Sequence, residues 1–144
     1  MQRMENLKPV ALLLLRVVLG IIFIFHGYPK LFVNMAGTVQ MFGKMGFPGY
    51  FAYIAGVFEF FGGILLIAGL FTRIAGLLLA IEMAVAVFRV HLPQGPITQV
   101  KNYEFPLALM AGAFLLATTG AGLLSFDHAI YRGGGSARPA KSKD

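Results

Sequence analysis

The 144-residue chain is 58% hydrophobic and 12% charged, with a mean hydropathy of +0.76, and its apolar residues come in blocks too long for a soluble domain of this size. The lack of cysteine excludes disulfides, thiol chemistry and a cysteine-ligated iron–sulfur cluster supplied by this chain. A net charge of +6 suits the anionic surface of a membrane, so the lipid bilayer is the implied partner and no nucleic acid is needed to explain it.

Four apolar blocks, residues 10 to about 28, 50–71, 74 to about 91 and 105–124, are each close to the roughly 20 residues that cross about 30 Å of hydrocarbon. Strict apolar/polar alternation is absent and lipid cannot satisfy loose backbone groups, so the blocks read as helices rather than barrel strands. The expected fold is all-α: a four-helix transmembrane bundle over residues 1–130, with a short interfacial helix between the first two spans.

The first block follows Arg3 and Lys8 but carries Arg16 and ends in HGYPKLF, not in a small-residue cleavage site, so it is expected to be retained as a span. His26, near its far end, is the residue type that titrates near neutral pH and is a candidate for hydrogen bonding or proton exchange; the competing reading is a plain helix-end histidine before Gly27 and Pro29. Between the first two spans, Phe32, Met35, Val39, Phe42 and Met45 keep helical spacing, as in a helix lying at the membrane surface. Such a helix either caps the mouth of the bundle or rests among the headgroups.

The second block contains GVFEFFGGILLIAG, with Glu59 inside an apolar run. On a helix its neighbours are Ala52, Ala55, Gly56, Gly62, Gly63 and Leu66, nearly all small, so its face should pack against other helices and its carboxylate should point inward. The connection GLFTR makes the second and third spans antiparallel neighbours. Counting from it places Glu59 about 19 Å, Glu82 about 16 Å and Arg89 about 26 Å away. Pairing offsets the cost of ionised groups in hydrocarbon, so Arg16, Glu59, Glu82 and Arg89 are expected to form one polar network, either as structural glue or as functional groups. His91 joins His26 near the same edge, where two histidines could hold a haem axially; a hydrogen-bonding or proton-exchanging role for His26 is the stronger reading. No metal site is expected. The last block has no charge, many small residues, and Thr118 and Thr119, which suits close packing more than acid–base chemistry. RVVLG and RIAG, at the starts of the first and third spans, hint at a duplicated hairpin.

Seven Lys and Arg residues flank one side (Arg3, Lys8, Arg73, Arg132, Arg138, Lys141, Lys143) and three the other (Lys30, Lys44, Lys101). The positive-inside rule then puts both termini in the cytoplasm. Residues 131–144, glycine-rich and basic, read as a disordered tail.

The runs RVVLGIIFIFHGYPKLF, EFFGGILLIAGLFTRIAGLLL, NYEFP and GAGLLSFD resemble, in order and spacing, the DoxX family of small four-helix membrane proteins, over about residues 12 to 128. Positions matching its motifs are Arg16, His26, Gly27, Lys30, Glu59, Gly62, Gly63, Thr72, Arg73, Glu104, Gly120, Gly122, Ser125 and Asp127; Leu123 stands where a more polar residue is expected in many relatives. The resemblance implies a multi-pass protein of a bacterial or archaeal cytoplasmic membrane, linked to quinone-dependent oxidoreductase complexes. On that reading Glu59 and His26 carry proton chemistry while Arg16, Glu82 and Arg89 hold a quinone. With no recognisable electron carrier in the chain, electrons would come from a partner protein or bound cofactor, which favours an accessory or quinone-docking subunit. A small transporter or proton pathway, and a scaffold recruiting soluble redox-stress proteins, are the alternatives; a homo-oligomer is left open.

Overall fold

A computed structural model describes residues 2–133, and every regular element in it is helical. After a short turn at Gln2–Glu5, helix α1 spans Lys8–Tyr28 with Pro9 in its first turn, where a missing N–H costs nothing. Pro29 cannot donate to the preceding turn, and the helix widens into a π turn, Pro29–Val33, closed by Asn34 N donating to Pro29 O at 2.9 Å. Asn34 then caps helix α2, Met35–Lys44, its side chain accepting from Gly37 N at 3.0 Å.

Helix α3 spans Tyr50–Ala68. Gly69, at φ +68, ends it with two crossed bonds, Gly69 N to Leu66 O and Leu70 N to Leu65 O, at 3.1 and 3.0 Å. Helix α4, Thr72–Val85, continues through a second π turn, Ala86–His91, into a 3₁₀ turn. Helix α5 spans Glu104–Thr119 and α6 spans Phe126–Gly133.

Among the described residues, three stretches are long and apolar enough to cross a membrane: Lys8–Val33, Tyr50–Ala68 and Thr72–Gln94. The fourth expected span is shorter. Its helix stops where Gly120 turns to φ +81, leaving 16 helical residues, about 24 Å of length. Helix α6 was not expected; it carries the chain through Tyr131–Gly133, the first residues of the segment read as a tail, and residues 134–144 lie outside the described residues.

The strongest packing joins α1 to α3 and α4 to α5, with a thinner contact between α3 and α4, and α2 resting on α3. Glycine sets both tight pairings. A Cβ on Gly63 would stand 2.6 Å from Gly20 O, and one on Gly76 would stand 2.8 Å from Ala113 O, so backbone meets backbone at each crossing. Leu19, Phe23, Leu66, Leu79 and Leu116 fill the centre, while Phe25, Phe61, Ile81, Phe88 and Phe114 are exposed, an outward apolar surface suited to hydrocarbon.

Candidate functional site

The buried residues of α3 are Ala52, Ala55, Gly56, Glu59, Gly62, Gly63 and Leu66, the face expected around Glu59. Its carboxylate is 4% exposed and accepts from Lys30 Nζ at 2.5 Å. Lys30 sits in the first π turn, and Gly56 makes its approach possible, because a Cβ there would press within 2.8 Å of Leu31 and 3.4 Å of the Lys30 stem. Glu82, from α4, lies beside Glu59 within reach of a shared hydrogen bond, and its Oε2 is buried with no partner among the described residues. One ammonium, bonded to Glu59, thus stands near two carboxyl groups.

These three groups border a cavity of about 300 Å³ between α2, α3 and the end of α4. Its walls are otherwise apolar: Met41, Phe42 and Met45 of α2, Phe51 and Phe58 of α3, Ile81 and Val85 of α4. His91 adds one more polar group, its Nδ1 donating to Ala86 O at 2.8 Å. In a neutral imidazole held this way Nε2 is left as an acceptor. Helix α2 therefore walls the cavity mouth.

At the other end of the helices a second polar cluster forms. Arg16, 1% exposed, donates to Ala121 O at 2.6 Å and to Ile67 O at 3.4 Å. Asp127 accepts from Phe71 N at 2.8 Å and Thr72 N at 3.0 Å, capping the first turn of α4 from across the molecule, and its own N–H returns a bond to Gly69 O. Phe71 is held at φ +50, a left-handed backbone uncommon for a bulky residue. Arg73 closes the end of α5 through the carbonyls of Ala117, Thr118 and Thr119.

Of the expected network only Glu59 and Glu82 meet. Arg16 is spent on backbone carbonyls at the opposite end. Arg89 is exposed, since the wider π turn at Ala86–His91 advances less per residue than an α-helix and rotates it off the face of Glu82. His26 is exposed, bonded to Ile22 O at 2.8 Å and packed against Phe105 with ring centroids 5.6 Å apart; it does not line the cavity. Lys30 and His91 take the places expected of Arg16 and His26. The clue to Lys30 was Pro29 before it, which breaks the α-helical register used to place the charges.

A family model described as DoxX matches residues 11–92, more than half of the chain. The chain belongs to the DoxX family. It is 40% identical over 124 residues to "Putative oxidoreductase CatD" of Bacillus subtilis (strain 168), covering 86% of this chain and 90% of that one. Two relatives from Escherichia coli (strain K12) are "Inner membrane protein YqjF", 31% identical over 90% of this chain and 98% of the relative, and "Inner membrane protein YphA", 38% identical over 83% and 90%. No solved structure matches.

Ten of the fourteen positions that carry the sequence resemblance fall into two groups in this fold, with His26, Gly62, Gly63 and Glu104 outside both. Arg16, Thr72, Arg73, Gly120, Gly122, Ser125 and Asp127 belong to the cluster where chain turns are tied to helix ends. Lys30 and Glu59 form the ion pair beside the cavity, and Gly27, whose added Cβ would strike the Phe60 backbone, seats α1 against α3 next to it.

Proposed function

We propose that this DoxX protein is a four-helix transmembrane subunit that docks a quinone in the cavity between α2, α3 and α4, as an accessory subunit of a membrane redox system. The observation that carries the reading is the buried Lys30–Glu59 pair with Glu82 at the border of an otherwise apolar cavity. The cavity volume is at the lower end of small-molecule sites, and such sites combine apolar walls with a few placed polar groups.

The residues fit a quinone ring. When bound, the quinone supplies a two-electron, two-proton acceptor. Lys30 is a donor suited to a ring carbonyl, and Nε2 of His91 is an acceptor suited to the hydroxyl of the reduced form. Glu59 and Glu82 are the groups at the cavity that can carry a proton to or from the ring. Electrons enter from a protein partner. With both termini in the cytoplasm, the cavity faces the outer side of a bacterial cytoplasmic membrane.

A through-going proton pathway is less well supported. Phe23, Leu66 and Leu79 fill the layer between the cavity and Arg16 with apolar side chains.

The test is a difference spectrum and lipid-extract analysis of protein purified in detergent from quinone-containing membranes, with Glu59→Gln alongside. Wild type should retain a quinone that Glu59→Gln loses at unchanged helicity by circular dichroism. A wild-type protein that carries none and fails to bind an added short-chain quinone overturns the reading.

A further inference from the structure

We infer that the ligand is a membrane-resident molecule, a small polar ring bearing a long hydrocarbon tail, and that the tail lies in the seam between α3 and α4. This rests on the quinone-docking reading and adds where the apolar part of the ligand goes and how it enters.

The seam holds a second compartment of about 130 Å³, bounded by Val57, Phe61 and Leu65 of α3 and by Ile74 of α4, with no charged or hydrogen-bonding side chain. Phe58 and Leu78 border both compartments, so the two adjoin across these side chains. From Phe58 to Leu65 the seam runs about 10 Å away from the cavity toward the turn joining α3 and α4. It stays open for a structural reason. The α3–α4 contact is much thinner than the glycine-set α1–α3 and α4–α5 pairings, and Gly62, where an added Cβ would stand about 3.2 Å from Leu79, presents no side chain to the groove it lines. Val57, Phe61 and Ile74 are exposed on the lipid-facing side, so the groove opens laterally into hydrocarbon.

The polar groups are thus confined to one compartment and the adjoining one is wholly apolar. That division matches a ligand with a polar head and an alkyl or isoprenoid tail, arriving from within the bilayer.

The experiment measures the affinities of two quinones with the same ring, one with a methyl substituent and one with a decyl tail, in the same detergent. Wild type is compared with Val57→Trp, which fills the seam, and Ile64→Trp, on the lipid-facing side of α3 but outside it. The ratio of the two affinities is compared between proteins, which cancels the partitioning of each quinone into detergent. The decyl advantage should fall by about tenfold or more in Val57→Trp, with methyl-quinone affinity unchanged and Ile64→Trp like wild type. If Val57→Trp does not fold, Ile74→Trp blocks the same groove from the opposite wall. An undiminished decyl advantage in the seam variants overturns the tail assignment while leaving the head site standing. Failure of both quinones to bind wild type overturns the tail assignment together with the docking reading on which it rests.

Discussion

Removing Lys30 should damage the protein more than removing Lys30 and Glu59 together. In Lys30→Met the Glu59 carboxylate, 4% exposed, loses its cation while Glu82 remains beside it. Breaking a buried pair in this way costs about 3–5 kcal/mol, because one charge is left without compensation. Glu59→Met should cost less, since the Lys30 side chain is 20% exposed and can bend its ammonium toward water or toward Glu82. The double change Lys30→Met/Glu59→Met replaces both charges with apolar side chains of similar size, and such replacements range from neutral to about 1–4 kcal/mol stabilising. The assay is reversible unfolding of the detergent-solubilised protein by SDS titration, followed by circular dichroism. A coupling of at least about 2 kcal/mol is expected from the four-way cycle. Single changes that add up to the double within about 0.5 kcal/mol would mean the pair is not coupled, and the reasoning about a compensated buried charge would fail.

Three further outcomes are expected. Gly63→Ala sets a Cβ against Gly20 O and should destabilise by about 1–3 kcal/mol in the same titration, whereas Gly43→Ala, with nothing within 4 Å of the added carbon, should leave the global transition unchanged or raise it by up to about 1 kcal/mol through helix propensity. Asp127→Asn weakens the bonds to Phe71 N and Thr72 N and removes a negative charge from the start of α4; it should cost about 1–2 kcal/mol, read as faster hydrogen exchange at those two amides. His91→Ala should weaken short-chain quinone binding several-fold while His26→Ala leaves it unchanged, since only His91 borders the cavity; equal effects would argue against the cavity as the binding site.

What could be read from the sequence follows from the reach of helical periodicity. It located the buried face around Glu59 residue by residue, because small side chains at three- and four-residue spacing mark a packing surface in any regular helix. It brought Glu82 to the level of Glu59 for the same reason, and it found the short helix between the first two spans. It failed where the helix is not α. The π turns at Pro29–Val33 and Ala86–His91 carry Lys30 to Glu59 and Arg89 away from it, and neither displacement follows from counting in steps of 3.6 residues. Arg16 was misplaced for another reason: its acceptors are the carbonyls of Ile67 and Ala121, which leave no trace in a pattern of side-chain charges. Nor could composition separate α5 from α6, since the break depends on Gly120 and Gly122 taking positive φ, not on any change in hydropathy.

The pinning of the α3–α4 turn by Asp127 has a mechanical consequence. Two closely packed pairs, α1 with α3 and α4 with α5, are tied at one end through Asp127 and meet again midway along α3 through Glu59 and Glu82, so a parting of the pairs that kept the tie would pivot about it. Glu59 lies about 15 Å from Gly69 along α3 and Tyr50 about 29 Å, so a displacement at the level of the two carboxyl groups is roughly doubled at the rim under α2. In the geometry of a lever, Asp127 stands at the fulcrum, the two carboxyl groups at mid-arm and the mouth under α2 at the far end.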